Sequence, residues 1–87
     1  MYTFKGNNRA TTIIDNNQHF ILHSTSIVIK KENSIVLNSN GYMTNTTKNA
    51  MNEVGEFLKF NVYQKNKNWY VNYNDETLDY TDNMELK

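Results

Sequence analysis

The chain has no cysteine, no proline and only three glycines. Without cysteine it can build neither a disulfide framework nor a thiolate zinc site, and the pattern suits a reducing cytosol. With so little glycine there is no Gly-rich phosphate loop, and a chain of this size is not expected to form a deep pocket. A cysteine nucleophile and a paired histidine and carboxylate motif are both missing, so the expectation is a non-enzymatic protein with no catalytic residues and no cofactor. No apolar run approaches the roughly 20 residues of a membrane span, and the N-terminus lacks the charged-then-apolar pattern of a signal peptide. The expected location is the cytoplasm, with no membrane partner.

What is present is material for one small domain. Eighty-seven residues bury about 60–65% of the extended chain's surface on folding. Hydrophobic residues make up 38% and aromatic ones 13%, so the core leans on rings that each remove roughly 150–250 Å² from water. Asparagine, lysine, isoleucine and tyrosine abound, as an A/T-rich coding genome would produce. Nine Lys+Arg balance nine Asp+Glu, but unevenly: residues 1–74 carry eight basic and four acidic side chains, and residues 75–87 one basic and five acidic. This predicts a folded domain over 1–74 and a solvated, partly disordered acidic tail over 75–87.

Breaks at Gly6-Asn7-Asn8, Asn16-Asn17 and Lys31-Glu32-Asn33 separate "YTFK" (2–5), "ATTIID" (10–15), "HFILHS" and "SIVIKK" (19–24 and 26–31), and "SIVLN" (34–38). Their β-branched content reads as strand, with "HFILHS" and "SIVIKK" forming either one bent strand or two short ones. In "GYMTNTTKNAMNEVGEFL" (41–58) the period changes: Ala50, Met51, Val54, Phe57 and Leu58 form one apolar stripe of a helix. Thr44, Asn45 or Thr46 can cap its start. Gly55, at the stripe's edge, costs about 1 kcal/mol relative to Ala and is expected to admit close packing against a strand. Beyond the helix, "FNVYQ" and "WYVNY" flank Lys65-Asn66-Lys67-Asn68. Pairing Gln64 with Trp69 sets Val62 opposite Val71 and Phe60 opposite Tyr73 on a core face, and Tyr63 opposite Tyr70 on the other. The predicted fold is α+β: an antiparallel sheet of about five to six strands with one amphipathic helix on one face, in the order β-β-β(-β)-α-β-β.

Four constellations bear on function. His19 and His23 sit four residues apart on a strand, where the spacing of about 13 Å is too wide for one ion, so no metal site is expected. Thr46, Thr47 and Lys48 place two hydroxyls and an ammonium at the positive end of a helix. They serve either as a cap alone or as an anion or nucleic-acid contact, the lysine being unfavourable to the helix itself. Tyr63 and Tyr70 beside Lys65 and Lys67 form an aromatic and basic hairpin surface, suited to sheet stabilisation, to a protein interface or to single-stranded nucleic acid. The acidic residues Asp75, Glu76, Asp79 and Asp82 are candidates to enter a basic groove on a partner.

The segments "STSIVI" (24–29), "NSIVLN" (33–38) and "MTNTTKNAMNEVGEFL" (43–58) resemble a family of small phage and mobile-element proteins of Gram-positive bacteria. In that family two strands precede an aromatic-Ser/Thr-x-Thr-Thr element and a helix. Thr44, Thr46 and Thr47 fit the hydroxyl positions, Met43 stands where the aromatic residue is usual with Tyr42 just before it, and Ala50 stands where a histidine is common. The resemblance implies a phage or plasmid accessory protein, many of which are compact inhibitors of host or defence proteins, anti-CRISPR proteins among them. The expected function is therefore binding and inhibition of a bacterial host or defence protein. The alternatives are a nucleic-acid-binding module, whose two lysines neutralise few phosphates, and a homodimer or larger assembly joined through exposed edge strands.

Overall fold

A computed structural model describes residues 4, 6 and 8–87. Eight strands and one helix follow in the order β1 (Arg9–Ile14), β2 (Asn17–Leu22), β3 (Thr25–Lys30), β4 (Ile35–Leu37), α1 (Asn45–Leu58), β5 (Phe60–Lys65), β6 (Asn68–Tyr73), β7 (Glu76–Asp79) and β8 (Met84–Leu86). They form two sheets rather than one, a five-stranded sheet in the order β1-β2-β3-β4-β8 and a three-stranded sheet in the order β5-β6-β7. Every pairing is antiparallel. The class is α+β as expected.

The added strands come from the segment read as a tail, so the boundary at residue 74 is corrected. Leu78 with Tyr80, and Met84 with Leu86, each recur at the period of two that buries one side of a strand. Leu86 is 1% and Tyr80 8% exposed. Full burial of a large apolar side chain contributes about 1.5–3 kcal/mol. The acidic side chains give this up at little cost, because Glu76, Asp79 and Glu85 all remain exposed.

With glycine scarce, Asn and Asp make the turns. Among the described residues, eight of the eleven non-glycine residues with positive φ are Asn or Asp, whose short polar side chains tolerate the left-handed region. Asp15-Asn16, Asn66-Lys67 and Asn74-Asp75 are two-residue connections with φ > 0 at both positions, as a type I′ hairpin turn requires. The β5–β6 register is the expected one, Gln64 opposite Trp69, Val62 opposite Val71, Phe60 opposite Tyr73 and Tyr63 opposite Tyr70. Its connection is tighter than expected, since Lys65 pairs with Asn68. "HFILHS" and "SIVIKK" form two strands, divided at His23, where φ is +60°. The strand expected at 2–5 falls largely outside the described residues. Phe4, which is described, is 1% exposed and meets Phe20 edge-on at 5.8 Å.

Helix α1 starts at an N-cap, Thr44, whose side chain accepts from the Thr47 N–H, and ends at Lys59 in the left-handed conformation. Its buried residues are Thr47, Ala50, Met51, Val54 and Gly55, a regular i, i+3, i+4 series. Phe57, expected in the stripe, is 47% exposed. The helix turns its glycine inward instead. A Cβ on Gly55 would overlap the Phe60 carbonyl oxygen and stand 3.1 Å from its ring, so glycine lets the helix press onto the start of β5. The helix also packs against β2 and β3, which makes it the element that joins the two sheets over one shared core. Asn52 closes the outer edge of β5: its Nδ2 donates to the Val62 carbonyl at 2.8 Å and its Oδ1 accepts from the Val62 N–H at 2.7 Å.

Candidate functional site

The three-stranded sheet turns Phe60, Val62, Trp69 and Val71 inward, and by alternation it presents Asn61, Tyr63, Tyr70, Asn72, Thr77 and Asp79 on its outer side. The Tyr63 and Tyr70 rings stack at 5.5 Å between centroids, with planes 30° apart. Asp79 stands opposite Tyr70 in register, so a carboxylate flanks the aromatic pair. Next to it, the Thr77 hydroxyl donates to Asn72 Oδ1 at 2.9 Å. Lys65 and Lys67 lie at the β5–β6 turn, while Asp75 lies at the β6–β7 turn and Glu76 begins β7. Six-residue strands separate these ends by about 17 Å. The face is therefore bipolar, basic at one end, aromatic in the middle with Asp79 beside it, and acidic at the other end through Asp75, while Glu76, opposite Tyr73, lies at that end on the other side of the sheet. The sequence separates these residues by up to eighteen positions, and the hairpins bring them onto one sheet.

Asp82 is not part of it, a correction to its candidacy. Its Oδ1 accepts from the Ser39 N–H at 3.0 Å, the Ser39 hydroxyl at 2.7 Å and the Tyr80 hydroxyl at 2.7 Å, and its Oδ2 accepts from the Gly41 N–H at 3.1 Å. The carboxylate ties the connection between the sheets to the loop before α1. Partial burial works to raise its pKa, but the bonds from Tyr80, Ser39 and Gly41 outweigh this and hold it below the ordinary carboxylate value. For Tyr80, burial first and then donation to Asp82 push the phenol well above its usual range.

Residues 2–87 match the model of the Kyanoviridae Gp96 protein family. The chain belongs to this family. It is thus a small phage protein. The match lends no support to a Gram-positive origin. No curated protein and no solved structure matches the chain.

In this Gp96-family fold the helix head serves as a cap. Thr47 is 4% exposed, its N–H is taken by the Thr44 hydroxyl oxygen at 3.3 Å, and its own hydroxyl oxygen accepts from Thr44 at 3.3 Å. Thr46 is exposed and Lys48 half-buried. Thr46 lines an open cleft of about 670 Å³ shared with the β2–β3 turn at His23 and Ser24 and with Tyr42, over a floor of Leu22 and Ile27. The glycine-poor composition predicted no such hollow. It arises because the turn at His23 and Ser24 and the loop before the helix form its two walls, an approach across about fifteen to twenty residues that no local pattern announces.

The histidines stay apart. His19 is on β2, with Nδ1 3.0 Å from the Ser26 hydroxyl oxygen, and His23 is in the turn. Among the described residues no group of three His, Cys, Asp or Glu could hold a metal ion. Among them, too, no helix is long and apolar enough to cross a membrane.

Proposed function

We propose that this small phage protein binds a bacterial host or defence protein through the outer face of its three-stranded sheet and inhibits it by occupying its surface, without chemistry of its own. The observation that carries the reading is the stacked Tyr63 and Tyr70 pair set between a lysine end and an acidic end on one rigid sheet. Tyrosine is enriched in protein interfaces, where it supplies a large apolar area with a polar tip. Opposite charges at the two ends orient an approaching partner and fix its register. Strands about 4.8 Å apart with about 3.4 Å rise per residue give this face a footprint near 14 × 20 Å, or about 300 Å². A standard interface buries about 800 Å² per partner. The face is therefore the anchor of a wider contact that includes its neighbouring edges.

Single-stranded nucleic acid is the weaker reading. Lys65 and Lys67 supply positive charge beside the tyrosines, but Asp79 lies next to Tyr70 and Asp75 and Glu76 rim the same sheet, where they repel phosphates. The experiment is a parallel capture from bacterial lysate with the wild type, a Tyr63→Ala/Tyr70→Ala variant and a Phe57→Ser control on the helix. The proposal expects a partner retained by the wild type and the control and lost by the tyrosine variant. Equal capture by all three would remove the face from the account. Oligonucleotide binding with a steep log–log salt slope would favour the nucleic-acid reading.

A further inference from the structure

The three-stranded sheet has two edges, and the fold treats them differently. At β5 the Asn52 side chain occupies both backbone groups of Val62, as a neighbouring strand would. At β7 no side chain among the described residues does the same. In an antiparallel pair, alternate residues spend their N–H and C=O on the partner and the others direct theirs away. The Tyr80 N–H donates to the Trp69 carbonyl at 3.0 Å, and the register sets Leu78 opposite Val71 and Glu76 opposite Tyr73. Glu76, Leu78 and Tyr80 therefore face β6, and Thr77 and Asp79 point their backbone groups outward. Among the described residues no strand lies beyond β7 in this sheet.

An open edge is a template for another chain, and proteins normally block it. Here it carries one sign of charge. Glu76 and Asp79 on β7 and Asp75 in the preceding turn are exposed, and among the described residues none of the three is in an ion pair. We propose that β7 docks an extended, lysine- or arginine-rich segment of a partner protein, which joins the sheet as a fourth strand through the backbones of Thr77 and Asp79. The inference rests on the partner-binding reading of this sheet and specifies what the partner brings. Charge selects the occupant. In an antiparallel β7–β7 pair outward residues must oppose each other, so Asp79 would meet Asp79, Asp75 or Thr77 of a second copy. The first two place like charges directly across the ladder, which is destabilising, and every register gathers the acidic residues of both copies along one seam. Basic side chains along an added strand meet these carboxylates, while the main-chain bonds supply affinity, as in other strand additions. The added strand also widens the contact beyond the 300 Å² or so of the face.

The test uses the full chain and a synthetic eight-residue peptide alternating Lys and Thr, with a Glu-Thr peptide as control, followed in amide NMR spectra. With the Lys-Thr peptide at about ten times its dissociation constant, exchange of the Thr77 and Asp79 amides is expected to slow about tenfold. Their resonances shift, and the Glu-Thr peptide leaves both unchanged. Thr77→Pro removes one outward N–H and abolishes the effect; Thr77→Ala retains it. Shifts centred away from β7, or none, overturn the proposal on the wild type alone, whether or not Thr77→Pro folds. The lysate capture separates the two readings. If Tyr63→Ala/Tyr70→Ala loses the partner while Thr77→Pro keeps it, strand addition fails and the face stands. If neither loses it, both fail.

Discussion

Replacing Asp82 with alanine should be among the most damaging single changes outside the apolar core. The carboxylate accepts bonds from the Ser39 N–H and hydroxyl, the Tyr80 hydroxyl and the Gly41 N–H, at 2.7–3.1 Å. Ser39 is 1% and Tyr80 8% exposed, so alanine leaves two nearly dry hydroxyls without their acceptor. A buried polar group stripped of its partner costs about 1–3 kcal/mol. Two such groups, with partial relaxation toward water on the exposed side of residue 82, give a loss of about 2–4 kcal/mol. A domain of this size has about 4–13 kcal/mol in total, so Tm should fall by about 10–25 °C. Thermal and urea unfolding measure this directly. Tyr80→Phe keeps the ring on Trp69, 5.3 Å away, and should cost about 1 kcal/mol. The two losses should also be non-additive in a double-mutant cycle, because both delete the same bond.

The pH dependence has a definite sign. Folding lowers the Asp82 pKa, so its stabilisation is complete above the unfolded value of about 3.9 and is lost as pH falls through the lower folded value. Wild-type stability should decline below about pH 4, and Asp82→Asn should flatten that decline. A loss under about 1 kcal/mol for Asp82→Ala, too small for even one orphaned buried hydroxyl, would refute the reasoning and return Asp82 to the list of free surface acids.

Three further outcomes follow from the packing. Gly55→Ala, which should gain about 1 kcal/mol from helix propensity, is expected to destabilise by about 1–3 kcal/mol in urea unfolding, because the new methyl meets the Phe60 carbonyl. Asn52→Ala should speed hydrogen exchange at the Val62 amide and cost about 1–3 kcal/mol, since it uncovers both backbone groups of one edge residue. Ending the chain at residue 74 removes Tyr80 and Leu86 from the core and should abolish cooperative unfolding in calorimetry; a retained sharp transition would restore the reading of 75–87 as a dispensable tail.

The three-stranded sheet was half legible before any coordinates. "FNVYQ" and "WYVNY" alternate cleanly about a short polar turn, so one correct pair fixes all the others. The third strand was hidden because Asp75, Glu76 and Asp79 dominate the composition in and just before it, while the period-two series of Leu78 and Tyr80 that buries it spans too few residues to outweigh them. The helix start was legible from its threonines. Its buried face was misjudged at Thr47, which does not score as apolar although it is buried, and at Phe57, which does although it is exposed; the close packing expected of Gly55 is there, against Phe60. The role of Asp82 was out of reach, since Ser39 lies 43 positions away. So was the bipolar character of the candidate face, which needs β7 beside β6 before Asp79 meets Tyr70.

Tyrosine-directed chemical labelling of the protein, alone and with its captured partner, tests the central claim most directly. Tyr63 and Tyr70 are half-buried on the sheet face, and Tyr42, 65% exposed at the rim of the helix-head cleft, serves as the internal control. The account predicts that the partner shields Tyr63 and Tyr70 and leaves Tyr42 reactive. Shielding of Tyr42 with Tyr63 and Tyr70 unchanged would contradict it and move the binding site to the cleft.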